Sequence, residues 1–374
     1  MVPLRFLLVI LVALPGCPYC DFDTPPLDTD VTREKALDEA FHLDPRWLGG
    51  DAAYTIDLGD DTSLWLFGDS FIATSPNFTR SESTMVRNSV ALMGGRDLAT
   101  ASMQFAWRDG APPTSFFPED ADHWFWPNGG VRVPNGPLLV FLSELRATPG
   151  EGLGFAGVGM RALRVADPSG SPLDWTLEPT TVHSPAFAPT MNVSCSTVVD
   201  DKYLIAVFTG DGNHDGMLAR WPLTAIANGD DLGNPEWWTG TIWLRESFLT
   251  KLPKVVIPDG GSECSLHYDT IGSAGWVYTW SRGFGDTTIA MRTAWELTGP
   301  WSDPFDIFTP PESKVDNAFV YAAKAHPALI GPNGGLIITF ADNSFTFADL
   351  FDAAKAATLY WPHVVEVLIY QIVC

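Results

Sequence analysis

The stretch GDAAYTIDLGDDTSLWLFGD, residues 50–69, contains the pattern that decides the fold. Residues 52–58 alternate between apolar and polar side chains, and residues 63–67 form an apolar run rich in aromatic and branched side chains. Gly and Asp residues between the two runs are typical of a tight turn. The stretch therefore predicts two antiparallel strands joined as a β-hairpin, with a small acidic residue at the start.

The hairpin pattern recurs four more times, and its copies begin at intervals of 63 to 77 residues. The five copies begin at Asp51, Asn128, Asn192, Glu263 and His326. Hairpins that cannot each bury a face alone, and that recur at a long period, indicate radially stacked blades. A β-sandwich also has short strands, but it lacks this longer period. We therefore predict an all-β, five-bladed β-propeller that forms a single domain over residues 45–374.

Further elements follow from the same reading. The run MVRNSVALM, residues 85–93, is expected to form a third strand of the first repeat. Short helices are expected over residues 33–40 and 347–355.

The composition is globular and strongly acidic. The 374 residues have a net charge of −23 and include 15 Trp and 23 Phe. Such a surface repels phosphate backbones, so we exclude nucleic acid as a partner, whereas a neutral carbohydrate fits it. We expect a monomer with a carbohydrate substrate.

The first 17 residues have the pattern of an export signal. The nine residues from Phe6 to Leu14 are apolar, which is too short a run to span a bilayer. The following LPGC is similar to a lipoprotein cleavage box with Cys17 as the lipidated residue, and simple secretion is the alternative. Residues 18–44 are polar and rich in Pro and Asp, so they are expected to form a flexible tether. The protein is thus expected in the cell envelope or outside the cell, in contact with membrane only through the lipid.

Two further motifs bear on a disulfide bond and on a calcium site. Cys195 and Cys264 both lie early in the first strand of consecutive repeats, so they could form a disulfide, although we favour two buried free thiols. The run from Asp211 to Asp215 is similar to the first half of a calcium loop, but Pro222 stands where the closing Glu is expected. A polar hairpin loop is favoured there. No metal or other cofactor is expected, with a structural calcium ion as the open alternative.

In a propeller the first strand of each blade lines the central channel, so the five repeat starts should form one ring. Asp69 and Glu144 end second strands and are expected at the other end or on the rim. Two carboxyl groups across a pocket are what glycoside hydrolysis requires, because one must donate a proton and the other must activate water or attack the sugar. Asp51 and Glu263 are the candidates, although a Gly-Gly-Asp start can also be a mere turn.

Other polar and aromatic residues could assist this pair. His326 could bond the substrate, tune a carboxyl group or be structural. Arg87 could hold a substrate or form an ion pair with Asp69. Trp126 could stack on a sugar ring.

Several motifs resemble known families. The segments GGD (49–51) and LWLFGDS (64–70) resemble the opening blade of bacterial five-bladed propellers of the families called domain of unknown function 4185 and 5005. MRTA (291–294) with TGPWS (298–302) resembles an element that these families share with glycoside hydrolase families 43 and 117. KAHP (324–327), NS (343–344) and YWP (360–362) resemble their closing blade, so the resemblance spans residues 45–373.

The resemblance implies a glycosidase-like pocket and a furanoside substrate such as arabinan. It assigns Asp51 as the general base or nucleophile and Glu263 as the general acid. A further Asp that tunes the acid is missing, since Asn128 and Asn192 stand at the corresponding positions. Either Asp69 or His326 takes that role, or the protein is a non-catalytic surface propeller that binds glycan or protein.

Overall fold

The computed structural model describes residues 24, 27–120, 122–150, 154–182, 191–193, 196–210, 214–269, 275–282 and 288–371. These residues form 26 strands, two short α-helices and six 3-10 helices, so the all-β prediction is confirmed. The strands are β1 (Leu27–Arg33), β2 (Trp47–Gly50), β3 (Tyr54–Gly59), β4 (Thr62–Phe67), β5 (Ser70–Ala73), β6 (Ser83–Val86), β7 (Ser89–Gly94), β8 (Ser102–Ala106), β9 (Trp124–Arg132), β10 (Leu138–Ala147), β11 (Phe155–Val165), β12 (Glu178–Thr180), β13 (Met191–Val193), β14 (Val198–Asp200), β15 (Tyr203–Gly210), β16 (Gly216–Pro222), β17 (Glu236–Trp238), β18 (Trp243–Arg245), β19 (Val255–Ile257), β20 (Cys264–Asp269), β21 (Gly275–Ser281), β22 (Ile289–Ala294), β23 (Phe305–Phe308), β24 (Ala318–His326), β25 (Leu336–Ser344) and β26 (Pro362–Gln371).

The helices are short and lie between strands. The α-helices are α1 (Leu223–Asn228) and α2 (Ala353–Ala356); the 3-10 helices are Lys35–His42, Arg80–Glu82, Pro172–Asp174, Glu246–Phe248, Pro311–Lys314 and Phe347–Phe351. The helices expected over residues 33–40 and 347–355 are thus present, largely in 3-10 form. No helix in the described ranges is both long and apolar enough to cross a membrane.

Five larger antiparallel sheets follow one another along the chain. The first has the order β3-β4-β7-β8, the second β9 to β12 and the fourth β20 to β23, whereas the third contains the seven strands β13 to β19. In the fifth sheet β24, β25 and β26 are joined by β1, and a smaller sheet holds β2, β5 and β6. Sheets made of consecutive strands are what a series of hairpin repeats should form.

Each larger sheet packs against the next. Strand β3 contacts β9, β10 contacts β13, β20 contacts β24, and β24 contacts β3. The third and fourth sheets share an apolar cluster that includes Val207 and Leu266, and the amide of Ser196 donates to the carbonyl of Cys264 at 3.2 Å. The apolar faces predicted by the strand alternation are therefore buried between neighbouring sheets.

The predicted tether over residues 18–44 is wrong for residues 27–44. Strand β1 pairs along its whole length with β26, from Leu27 opposite Gln371 to Arg33 opposite Val365. Its side chains alternate between half-buried and exposed, with Asp28 and Asp30 facing solvent. An acidic edge strand of this kind has the composition of a linker, which is why the sequence pattern was misread.

A buried charge cluster joins the segment of residues 33–38 to the fifth sheet. His363 on β26 lies 3.2 Å from Asp342 and 3.3 Å from Asp38, which precedes β2. Burial lowers the pKa of His363, but the two carboxylates outweigh burial and raise it to about 9. Asp38 also pairs with Arg33 of β1 at 2.5 Å, so the N-terminal segment is part of the folded domain.

The predicted third strand over residues 85–93 is wrong as one element. Residues on its two sides belong to β6 in the small sheet and β7 in the first sheet. The break falls at Asn88, which is fully buried. Its amide donates to the carbonyl of Phe125 at 2.8 Å and its side-chain oxygen accepts from the amide of Phe117 at 2.7 Å. These hydrogen bonds of the Asn88 side chain take the place of backbone hydrogen bonds between strands, and the strand ends there.

Cys264 is disulfide-bonded, so the free thiol predicted at this position is wrong. The cysteine that could complete the bond on the sequence argument, Cys195, lies outside the described residues, as do Cys17 and the leader. Most of the loop from Asp211 to Asp215 also lies outside them.

Candidate active site

Asp51 lies on a strained turn between β2 and β3. Gly49 has a φ of 112°, and Ala52 and Ala53 have φ values of 66° and 57°, which residues with a Cβ rarely adopt. The carbonyl of Asp51 accepts the amides of Ala53 at 2.9 Å and Gly68 at 3.1 Å. Strain of this kind persists only where the surroundings fix the backbone, and it is characteristic of functional sites.

The carboxyl group of Asp51 is held by two tyrosines from the fifth sheet. Tyr321 on β24 donates its hydroxyl to Oδ2 at 2.8 Å, and Tyr360, just before β26, donates to the same oxygen at 3.1 Å. Tyr360 has a φ of 65°. Arg80, which is buried, fixes its position by donating to the carbonyl of Leu359 at 2.6 Å.

A β-bulge in β24 brings a cation to the same place. The pairing of β24 with β25 shifts register between Tyr321 and Lys324, and Ala322 has a φ of 60°. Lys324 is fully buried, and its Nζ lies 2.6 Å from Glu263 Oε2 and 2.7 Å from the carbonyl of Ala322. Bulges re-aim side chains in this way. Strand β24 therefore supplies both Tyr321, which bonds Asp51, and Lys324, which pairs with Glu263.

Asp69 belongs to this cluster, and its predicted place at the other end or on the rim is wrong. Because β4 runs antiparallel to β3, the end of β4 lies beside the start of β3. Arg87 Nη1 lies 3.2 Å from Asp69 Oδ2, which confirms the ion pair considered as one alternative. Trp126 of β9 donates its indole N–H to Oδ1 at 2.9 Å.

The three carboxyl groups repel one another. Burial, together with the charges of Asp69 and Glu263, raises the pKa of Asp51 to about 8, against the lowering effect of the tyrosine hydrogen bonds. Burial also raises the pKa of Asp69 to about 6, although Arg87 and Trp126 lower it. Burial lowers the pKa of Lys324, and Glu263 and Asp51 oppose that shift.

The three carboxyl groups differ in their direct partners. Arg87 is paired with Asp69 and Lys324 with Glu263, whereas the hydrogen bonds of Asp51 come from neutral hydroxyls. Two of the three carboxyl groups thus have a cation as direct partner, and Asp51 does not. This agrees with the pKa of Asp51, about 8, being raised further than that of Asp69.

Of the remaining predicted residues, Asn128 and His326 bond to hydroxyl groups of neighbouring strands. Asn128 lies in the middle of β9, where its amide donates to Ser143 Oγ at 2.7 Å. His326 ends β24 instead of opening a strand, and its two ring nitrogens lie 2.8 and 2.7 Å from the hydroxyls of Thr55 and Thr339. Burial lowers the pKa of His326 to about 3, so it is a neutral core residue. Asn192 lies on β13, whose side chains are outside the described residues.

Three residues of the site were missed in the sequence: Lys324, Tyr321 and Tyr360. The start of the fifth repeat, predicted at His326, is wrong, because the inner strand β24 ends at that residue. The signal that could have revealed it is Lys324 in the otherwise small and apolar run 318–325. A lysine in such a run requires a buried partner.

Gly68 gives the first testable prediction. A Cβ on this residue would lie 2.3 Å from Asp51 Oδ1, whereas one on Gly159 would lie 3.6 Å from its nearest neighbour, Glu144 Oε2. Gly68→Ala should therefore leave the chain folded but displace the Asp51 carboxyl group, so a reaction that depends on this group should lose about 100-fold in kcat/KM, since small misplacements have effects of that size. Gly159→Ala is the control. An active Gly68→Ala variant with wild-type kinetics would contradict the placement of Asp51.

The consecutive antiparallel sheets, packed in series around a cluster of three carboxyl groups, define a β-propeller protein. The chain belongs to the family described as "Domain of unknown function (DUF5005)", which matches residues 34–370. Membership in that family is thus confirmed, and the likeness to family 4185 stays a prediction. No curated protein sequence matches the chain.

Solved structures share the fold. A protein of Bacteroides ovatus ATCC 8483, provisionally described as a hydrolase, has 18% identity and a TM-score of 0.70 over 91% of this chain and 90% of its own. Two more distant matches have TM-scores of 0.46 and 0.43: an exo-β-1,3-galactanase of Phanerochaete chrysosporium (13% identity; 85% of this chain, 60% of that one) and the catalytic domain of a Coprinopsis cinerea GH62 α-L-arabinofuranosidase (11%; 87% and 92%). The first match shows the fold, and the other two carry no argument for this chain.

Proposed function

We propose that the protein is a glycoside hydrolase built on a five-bladed propeller, acting on furanosides of the arabinan type. The observation that carries this proposal is that one cluster holds Asp51, whose pKa is raised to about 8, and Glu263, which is ion-paired with Lys324. Glycoside hydrolysis needs one carboxylic acid and one carboxylate at the scissile bond. The furanoside preference rests on the family resemblance in the sequence.

The packing of the sheets supports the number of blades. The five larger sheets contact each other in series, and the fifth returns to the first through β24 and β3. The pairing of β1 with β26 within the fifth sheet joins the first and the last strand of the described residues. We therefore assign one blade to each larger sheet, with the small sheet of β2, β5 and β6 as an addition beside Asp51.

The electrostatics favour an exchange of the two roles that the resemblance implies. Asp51 has the raised pKa that a general acid needs, so it would protonate the leaving oxygen. Glu263 is held beside the buried ammonium of Lys324 and would activate water or attack the sugar as a carboxylate. The tyrosine hydroxyls on Asp51 fix the orientation of its carboxyl group.

Asp69 is the residue that would tune the acid. Its charge contributes to the raised pKa of Asp51, and Arg87 keeps it in place. This supplies the second acidic side chain that Asn128 and Asn192 cannot provide. His326 is too deeply held between two threonines to share the role.

We propose that the protein is exported through the leader of residues 1–17, with lipidation at Cys17 or release as alternatives, and that it acts as a monomer.

A sugar-release assay tests the function. The purified protein is incubated with arabinan, galactan and fucosides, and released sugars are separated by chromatography. We expect release from arabinan, lost in both Asp51→Asn and Glu263→Gln variants. Binding of glycan without release would favour the non-catalytic alternative, and equal release by the variants would contradict the assigned residues.

A further inference from the structure

Three phenylalanines are exposed in the connection between β25 and β26. Phe345, Phe347 and Phe351 are 66%, 56% and 39% exposed. They lie in the connection between β25 and β26, the same connection that carries Tyr360 to Asp51. Exposed aromatic side chains grouped beside a polar site indicate a binding surface. We call these three residues the aromatic rim.

Ring contacts connect Phe345 to the first tyrosine on Asp51. Tyr321 and Phe319 lie on the same strand with ring centroids 5.5 Å apart, and Phe319 lies 4.6 Å from Phe345. The exposed ring of Phe345 thus packs against the buried ring of Phe319. The amide of Phe345 donates to the carbonyl of Asn317 at 3.0 Å, which fixes the backbone at this point.

A second series of contacts leads from the other tyrosine. The ring of Tyr360 lies 5.5 Å from Phe71, Phe71 lies 5.5 Å from Phe351, and Phe351 lies 5.4 Å from Phe347. Both series therefore begin at a hydroxyl that donates to Asp51 Oδ2 and end at an exposed ring. Continuous ring packing therefore connects the rim with both tyrosines that bond Asp51.

Polar groups stand next to these rings. The Asn317 side chain is exposed and donates to Ser344 Oγ at 3.0 Å and to Thr346 Oγ1 at 2.7 Å. An aromatic face flanked by amide and hydroxyl groups matches a sugar ring, which has an apolar C–H face and a polar edge. The protein's net charge of −23 disfavours an acidic chain as the occupant.

We propose that the aromatic rim binds sugar units of a neutral glycan chain adjacent to the unit held at Asp51. The proposal rests on the proposed function for the position of the reacting sugar. It implies that the protein recognises an oligosaccharide or polysaccharide through several consecutive units, not a single sugar.

Affinity electrophoresis tests the rim without relying on catalysis. Wild-type protein and the variants Phe345→Ala and Phe347→Ala are run in native gels cast with arabinan or with galactan at increasing concentration. Phe248→Ala is the matched control, because Phe248 is 67% exposed on a 3-10 helix of the third sheet. We expect the dissociation constant for the retained glycan to rise about tenfold in Phe345→Ala, as for loss of an aromatic contact, and to stay unchanged in the control.

The outcomes separate this proposal from the proposed function. If the glycan retards wild type but not the rim variants, the rim is a glycan-binding site even when no sugar is hydrolysed. If wild type is not retarded by either glycan, or if Phe345→Ala is retarded like wild type, the rim is not a glycan site even when sugars are released.

Discussion

An Asp51→Asn variant is expected to lose about 1,000-fold in kcat/KM on a natural glycan, within the usual range for removal of a general acid. The reason is that the amide has no proton to donate to the leaving oxygen. On a dinitrophenyl glycoside, whose leaving group departs without protonation, most of the rate should remain. The comparison of the two substrates therefore measures proton donation and not merely the loss of a site residue.

Glu263→Gln is the matched comparison, because it replaces the other carboxyl group of the pair. It should be slow on both substrates, and added azide should restore part of the rate on the activated one by replacing the missing nucleophile or base. If Asp51→Asn shows this second pattern instead, Asp51 is the base that the family resemblance implied and the exchange of roles is wrong.

The pH dependence of stability gives Asp51→Asn a readout that needs no substrate. The pKa of Asp51 is about 8 in the folded protein, against an ordinary value of 3.8, so the folded state holds the extra proton between these limits. The contribution of Asp51 to stability therefore falls as pH rises from about 4 to about 8. The asparagine variant escapes this loss and should melt at a higher temperature than wild type at pH 9. Equal melting temperatures there would show that Asp51 is ionised at neutral pH.

The repeat in the sequence predicts the sheets well because hairpin formation is local. Turn residues such as those after Leu58, and Asn135-Gly136, lie between the strands that they connect. The register of the fifth repeat was misjudged because β24 is interrupted by a bulge at Ala322, and bulges break the alternation on which strand prediction rests. Strand β1 escaped because its partner β26 is at the far end of the chain.

The candidate site was predictable only in part, for a related reason. Asp51 and Glu263 could be found because each stands beside the start of an inner strand. The predicted place of Asp69, at the other end from Asp51 or on the rim, is wrong because β4 runs antiparallel to β3, which brings the end of β4 beside the start of β3. The contacts of Lys324 with Glu263 and of Tyr360 with Asp51 join residues 61 and 309 positions apart, so no local pattern could predict them.

Glu263→Gln is expected to destabilise the protein more than Lys324→Met, although the two changes break the same ion pair. Lys324 is fully buried, whereas Glu263 is 26% exposed and can be hydrated when its partner is gone. Removing Glu263 leaves a buried ammonium without its ion-pair partner, and at a pH where Asp51 keeps its proton this lowers the free energy of unfolding by about 3–5 kcal/mol. The double variant should recover much of that loss. Asp306→Asn, which breaks an exposed pair with Arg282, is the control and should change stability by less than about 1 kcal/mol.

The same two variants should move the pKa of Asp51 in opposite directions. Glu263→Gln removes a repelling charge and leaves Lys324 without its carboxylate, so Asp51 should ionise more readily and its pKa should fall below 8. Lys324→Met removes the neighbouring cation, so the pKa of Asp51 should rise. The carboxyl carbon resonance of Asp51, followed by NMR against pH, measures both shifts. Shifts of the same sign in the two variants, or none in either, would show that the titration of Asp51 is not coupled to the charges of Glu263 and Lys324.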